Sequence, residues 1–282
     1  MSIQEVGVNN KNFIVIGGIV LGILVLVMVV PKGKGSTKTD VQASSSTTKE
    51  ARDLYAQAIK LRKMHEPVRA KALYQEIIKN YPDQENIASV QKELEALNME
   101  LLFSGQAVPG KTVIHEVVPG DSLVRIAKKY GTTVDLIRQS NNIKGDVIRA
   151  GQKLRVWTGK FNIFVDKSQN VLILKDGNDV VKVYNVSTGE NNSTPTGAYK
   201  ITTKLEDPVW FHKGVVVPPE SPQNVLGTRW LGFDLPGYGI HGTVEPQTIG
   251  QQVTAGCVRM INEEVEELYS IVPMGTEVVI VN

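Results

Sequence analysis

The stretch from Ile240 to Ile261, IHGTVEPQTIGQQVTAGCVRMI, gathers most of the side chains here that can break and make an acyl bond. Cys257 is the single cysteine of the chain. A thiolate is a strong nucleophile and a neutral imidazole can take the thiol's proton, so one Cys and one His suffice for acyl transfer once a backbone group fixes the ring. His241 is the candidate base. Gly256 leaves open the space where a carbonyl must approach, and the main-chain N–H groups around Gly256 and Cys257 are candidates to stabilise an oxyanion. Arg259, two residues on, faces the same side as Cys257 in an extended segment and suits a carboxylate. By residue type alone a lone cysteine is more often buried filler than a catalyst, and a histidine beside glycines also reads as a loop residue.

Those residues need a frame, and residues 158–282 alternate in the manner of strands. Phe161 to Val165, Val171 to Lys175, an Asp176-Gly177 turn, Val180 to Val186, Ala198 to Thr203 and Thr276 to Val281 all follow that period. One segment reads as a helix, NEEVEELYSIV from Asn262 to Val272, with Val265, Leu268 and Val272 on one stripe and Asn262 as its cap. The sequence therefore predicts a mostly β domain with one C-terminal helix.

At 282 residues the chain has room for more than one domain, at roughly 150 residues each. A single Cys excludes a disulfide framework and every multi-cysteine zinc or iron–sulfur site, and no ligand set has the spacing of a metal centre, so neither metal nor cofactor is expected. The 31 basic and 29 acidic residues are sorted along the chain. Residues 158–282 hold 9 basic against 14 acidic, which argues against a nucleic-acid partner there, and the 8 against 4 of residues 113–157 make too small an excess to claim one.

After a short segment, 1–12, comes FIVIGGIVLGILVLVMVV over 13–30, which carries no charge and is just long enough to cross a bilayer core. It reads as a single transmembrane helix, being longer than a signal-peptide core and lacking a small-x-small cleavage site after it. Lys32, Lys34 and Lys38 follow it, and the positive-inside rule alone would leave the bulk of the chain in the cytoplasm. Residues 31–48, rich in Ser, Thr, Gly and Lys, read as a flexible linker.

Residues 49–103 carry apolar side chains at helical spacing in three blocks, with Pro67 opening the second helix, Tyr81-Pro82 closing it and Asp83 placed to cap the third. ARDLYAQAIKL followed by AKALYQEIIKNYPD resembles a tetratricopeptide-type hairpin, about one and a half repeats of an array that needs about three to stand alone. The block is a helical spacer or a surface for a protein partner.

Residues 112–157 read as strand, helix, helix, strand. Pro119-Gly120-Asp121 makes a turn, Ser122 to Tyr130 a short helix ended by Gly131, Thr132 or Thr133 caps a second helix, and Gly151 precedes the closing strand Lys153 to Trp157. His115 reads as structural or surface. The sequence HEVVPGDSLVRIAKKYGTTVDLIRQSNNI, with VIRAGQKLRV after it, resembles the LysM module over its whole length. That resemblance implies binding of N-acetylglucosamine-containing glycans such as peptidoglycan, with Gly120, Asp121, Ser122, Asn141 and Asn142 beside the groove. Turn and cap duty explains the same residue types.

IHGT, ten residues, then TAGCVRM resembles the L,D-transpeptidase catalytic domain of the YkuD type, and the likeness runs through STPTGAYKI, PESPQNVLGTRWLGF and INEEVEELYSIVPMGTEVVIV to cover residues 160–282. The resemblance implies that Cys257 attacks the third residue of a peptidoglycan tetrapeptide stem and expels D-Ala, with His241 as base and Gly256 in the oxyanion environment. It implies Arg259, Thr254, Gly242 and Thr243 as substrate contacts. The thioester then passes to an amine of a second stem, giving a 3→3 cross-link. Many members have His where this chain has Ala255. Taken together the expectation is a multidomain α+β protein: transmembrane helix, tetratricopeptide-like helical block, βααβ LysM module and mostly β catalytic domain. It is expected to be held to the cell membrane by one pass, with the catalytic part outside the cytoplasm and peptidoglycan strands and stems as partners. An L,D-carboxypeptidase, an enzyme attaching protein to the wall, and a non-catalytic glycan-binding scaffold are the alternatives.

Overall fold

A computed structural model describes residues 38–212 and 214–282, and no helix among the described residues is long and apolar enough to cross a membrane. The apolar run 13–30 and the segment 1–12 lie outside the described residues. The chain divides into two compact units between Leu94 and Glu95.

The first unit holds α1 (Lys38–Lys63), α2 (Pro67–Asn80) and the start of α3 (Ile87–Phe103). Ala51, Ala58, Ala70, Tyr74, Ile77 and Val90 are buried, which is the apolar stripe read from the sequence. Pro67 stands in the first turn of α2, where its missing N–H costs nothing, and the helix stops at Tyr81, whose N–H bonds the Ile77 carbonyl at 2.8 Å. Two expectations are corrected. The helix is present from Lys38, the first described residue, so the part of the 31–48 linker from Lys38 onward is helical; once a helix is nucleated, each further residue gains a backbone bond, and Ser or Thr costs only a few tenths of a kcal/mol against Ala. Asp83 does not cap α3. A turn follows Pro82, and the Val90 N–H bonds the Asn86 carbonyl at 3.0 Å, which puts Asn86 in front of the first helical residue.

In the second unit the expected βααβ module is present. Strand β1 (Thr112–Glu116) pairs antiparallel with β2 (Lys153–Trp157), and α4 (Leu123–Tyr130) and α5 (Val134–Ser140) lie between them in sequence. Ser122 caps α4 by accepting the Arg125 N–H at 3.3 Å, Gly131 ends it in the left-handed region at φ 68°, and Thr133 caps α5 by accepting the Leu136 N–H at 3.0 Å. Val117, Leu123, Ile126, Ala127, Ile137, Leu154 and Val156 form its core.

The rest is one eight-stranded sheet with small additions. Its strands are β3 (Phe161–Asp166), β4 (Val171–Asp176), β5 (Asp179–Asn185), β7 (Gly197–Glu206), β10 (Arg229–Phe233), β11 (Gly239–His241), β13 (Val258–Arg259) and β14 (Glu277–Val281). They are ordered β13-β11-β10-β7-β14-β3-β4-β5. Two-stranded ribbons pair β6 (Thr188–Gly189) with β12 (Gln252–Thr254), and β8 (Trp210–His212) with β9 (Val215–Val217). The expected helix is α6 (Asn262–Ile271), burying Val265, Leu268 and Ile271, and Val272 stands just past its end.

The βααβ module is fastened to this sheet. The guanidinium of Arg155, buried on β2, donates to the carbonyls of Leu101 at 2.7 Å and Leu102 at 2.9 Å, which satisfies the open end of α3. Asn98, one turn earlier, donates to the Val180 and Val181 carbonyls of β5 at 3.1 and 3.0 Å. Lys111 pairs with Asp176 at 2.9 Å, the Trp157 and Phe161 rings stack with centroids 6.4 Å apart, and the Thr133 hydroxyl donates to the Ser270 carbonyl. The last turns of the 49–103 block thus belong to the second unit, because Leu97, Leu101 and Leu102 are buried in it.

Candidate active site

The site forms where the sheet's strands are shortest. β11 and β13 run parallel with Ile240 opposite Val258 and His241 opposite Arg259, so Cys257 stands level with Gly239, one residue before the paired segment. On that register His241 and Cys257 sit on neighbouring strands two residues out of step, on the alternation that sends both side chains to one face. β10 holds β11 from the other side, and its Trp230, the cross-strand partner of His241, stacks on the imidazole at 6.0 Å. Gly232 and Gly239 make room for that indole: a Cβ at either would fall within 3 Å of its ring.

His241 is 3% exposed. Its Nδ1 lies 2.7 Å from the Gly242 carbonyl, which can only accept, so Nδ1 carries the proton and Nε2 keeps its lone pair. Burial pushes the imidazole down to about 4, with the nearby Arg259 charge adding to the drop and the Gly242 bond opposing it. Burial likewise pushes the Cys257 thiol up, against a backbone hydrogen bond at Gly239 and the Arg259 charge, which pull it down. At neutral pH the pair is a thiol and a neutral imidazole. The thiol is partly buried and donates to the Gly237 carbonyl at 3.5 Å.

The other sequence-derived residues are all at this end of the sheet. Thr254 is buried, and its hydroxyl donates to the Cys257 carbonyl at 2.7 Å while accepting the Gly256 N–H at 3.2 Å. It braces the turn that carries Cys257, and its oxygen takes up the Gly256 N–H, one of the oxyanion candidates. Gly256 serves through its conformation: at φ 132° it takes a backbone state closed to side chains, and a Cβ there would lie 2.8 Å from the Tyr238 ring. Arg259 is 7% exposed, and its Nη1 is held by Glu245 at 3.1 Å and Thr248 at 3.0 Å, so a substrate carboxylate would have to compete with Glu245. Gly242 and Thr243 are buried and shape the turn behind the imidazole. Ala255 is exposed.

Asn262 is a further correction. No side chain caps α6, and the Asn262 Oδ1 accepts the Thr228 N–H at 3.2 Å and the Thr243 N–H at 3.0 Å. An Asn at the start of a helical pattern reads as a cap by local rules; its true partners lie 34 and 19 residues away in the chain.

In the βααβ module Asp121, Ser122 and Asn141, three of the expected glycan residues, make internal hydrogen bonds. Asp121 accepts from the Val118 N–H and pairs with His115, which also bonds the Tyr130 hydroxyl, so His115 is structural. Asn141 bridges both backbone groups of Arg155 at 2.7 Å, Gly120 has φ 91°, and Asn142 has φ 53°. Gly120, Ser122 and Asn142 are exposed.

A thiol and a neutral, tautomer-fixed imidazole thus share one face of a β domain that is joined to a βααβ module. Comparison with known proteins identifies both parts. The model of the L,D-transpeptidase catalytic domain matches residues 160–280, and that of the LysM domain matches residues 115–157. YqjB of Bacillus subtilis (strain 168), whose name assigns it to the L,D-transpeptidases, is 41% identical over 124 residues, covering 42% of this chain and 69% of that protein. YkuD of the same organism, named likewise, is 32% identical over 173 residues, covering 59% of this chain and 97% of that protein. Among solved structures, an L,D-transpeptidase from Mycobacterium smegmatis aligns with 16% identity and a TM-score of 0.38, covering 47% of this chain and 64% of that one. The chain belongs to the L,D-transpeptidase family and carries a LysM domain.

Proposed function

We propose that the protein is a membrane-anchored peptidoglycan L,D-transpeptidase working through a Cys257 thioester. The observation that carries the reading is His241, neutral and with its Nε2 lone pair free, on the strand beside the only thiol of the chain. Cys257 turns from the Gly237 carbonyl towards Nε2 and gives up its proton as Sγ attacks the carbonyl of the third residue of a tetrapeptide stem. The S–C bond forms, the amide bond to D-Ala breaks, and the proton on Nε2 passes to the departing amine. A side-chain amine of a second stem then attacks the thioester, giving a 3→3 cross-link and returning the thiol. Low charge on the resting pair suits this order of events, because neither group must be desolvated as an ion before substrate arrives.

The LysM domain supports peptidoglycan as the partner, through the exposed surface at Gly120, Ser122 and Asn142. Holding the polymer raises the effective concentration of stems near Cys257. The 13–30 run supports a single N-terminal anchor, and a polymer substrate outside the cytoplasm supports an exported catalytic part despite Lys32, Lys34 and Lys38. Protection of residues beyond 31 from protease added to intact spheroplasts would overturn that topology.

The deciding experiment incubates the full chain and its Cys257→Ala variant with disaccharide-tetrapeptides and reads products by mass spectrometry. A Cys257-dependent dimer lacking one D-Ala establishes the transpeptidase. Loss of D-Ala without dimer makes it an L,D-carboxypeptidase, and identical inactivity of both proteins points to a glycan-binding scaffold or to an acceptor not supplied, such as a protein amine.

A further inference from the structure

The Gly242–Thr243 peptide presents opposite faces to two different side chains. Its carbonyl accepts from His241 Nδ1 at 2.7 Å, and its N–H donates to Asn262 Oδ1 at 3.0 Å. A trans peptide is planar with C=O and N–H pointing in opposite directions, so fixing one end of this unit fixes the other. The same Asn262 oxygen accepts the Thr228 N–H at 3.2 Å, and with two N–H donors on it the side-chain oxygen, not its amide nitrogen, must face them. The fit is tight on both sides. A Cβ at Gly242 or at Gly227 would come within 2.2 Å of that oxygen, and Gly227 has φ 64°. Gly242 is tied a third time by its own N–H, which donates to the Arg229 carbonyl at 3.2 Å. Asn262 contributes no cap to its helix, so helix-building does not account for its placement.

From this geometry we infer that Asn262 is a positioning residue for the reaction: by gripping the Thr243 N–H it aims the Gly242 carbonyl at His241 Nδ1 and so selects the tautomer whose Nε2 can act as a base. The inference rests on the reading of His241 as that base. Without the grip the peptide is free to turn over, which would present an N–H to the ring in place of a carbonyl. The proton would then move to Nε2 and the base would be lost while the fold stands. Three otherwise unrelated segments, the Gly227-Thr228 turn, the His241 strand and the start of α6, meet at this one oxygen. The imidazole's chemical state is thus set by a side chain that never touches it.

The test uses the full chain with ¹⁵N-labelled histidine, in which the imidazole nitrogens of His241 report the tautomer directly, together with kcat and KM for D-Ala release. The wild type is expected to hold the proton on Nδ1. Asn262→Ala is expected to show His241 protonated on Nε2 in a substantial fraction and to lose kcat by about 10²-fold with KM little changed, as when a catalytic histidine loses the partner that fixes its tautomer. Asn262→Asp keeps an acceptor in place, so it should restore the wild-type tautomer and most of kcat; its added negative charge should move the acid limb of kcat/KM to higher pH. Wild-type tautomer and kcat in Asn262→Ala would overturn the inference. Should that variant fail to fold, an Asn262→Asp enzyme with an unmoved acid limb would overturn it as well. If the wild type releases no D-Ala, the proposed reaction fails, and the tautomer spectra of the wild type and Asn262→Ala still decide whether Asn262 sets the ring.

Discussion

The two ends of the eight-stranded sheet are built differently. At one end β3, β4 and β5 have six, six and seven residues, and Ile163, Leu172 and Leu174 are essentially without exposure. At the other, β11 and β13 have three and two residues, and side-chain hydrogen bonds from Thr254, Arg259 and Asn262 do much of the holding. Long ladders over aliphatic side chains supply cohesion, whereas short strands closed by polar side chains leave backbone and ring nitrogens aimed at chosen points. Stability and chemistry are therefore separable in this domain, and mutations sort by which end they touch.

The sharpest break in that comparison is Cys257→Ala, expected to abolish D-Ala release by at least about 10⁴-fold while leaving the thermal midpoint where it was. Measured together, activity and melting show the site end failing alone. Leu172→Ala is the converse. It should cost about 3 kcal/mol in a urea titration through lost burial and the cavity left behind, with normal specific activity in the fraction that remains folded.

Acid gives the next effect. His241 in the fold has its pKa pushed down to about 4 from 6.5, so between those values the unfolded chain takes up a proton that the folded one refuses. Stability contributed by the neutral ring is present above about 6.5 and is lost as pH falls towards 4, on the order of 3 kcal/mol in all. Urea midpoints from pH 7 to 4 should fall accordingly, and His241→Gln should flatten that slope. Smallest is Arg155→Met, which frees the carbonyls of Leu101 and Leu102 and should loosen the LysM domain at a cost of about 1–3 kcal/mol. Activity on intact sacculi should then drop relative to activity on soluble tetrapeptides, and an unchanged ratio would show that the fastening has no part in catalysis.

The sequence was informative wherever structure follows from neighbours in the chain. The βααβ module, the α2 boundaries at Pro67 and Tyr81, and the β alternation before Val186 are all set by local periodicity and turn chemistry. Cys257 and His241 were legible because their types are rare and their segment glycine-rich. What stayed hidden depends on register. Trp230 covers His241 only because β10 and β11 pair with those two residues opposite, and Glu245 reaches Arg259 only through the loop that follows β11. Asn262 was misassigned for the same reason, since its bonds cross the fold. The signal pointing to it was the pair of glycines at 227 and 242, where a Cβ would meet the Asn262 oxygen.

The bonds from Asn98 to the Val180 and Val181 carbonyls have a further consequence for how the protein behaves in a crowd. Strand β5 is one margin of the sheet, and an open margin of seven residues invites another chain to add a strand. Asn98 takes up carbonyls there, and the opposite margin, β13, is two residues long, too short to seed pairing. The helix end that fastens the LysM domain thus blunts one stretch of the β5 border, and Ser187 bridges Arg259 on the other, so an incoming strand finds less free ladder at either side.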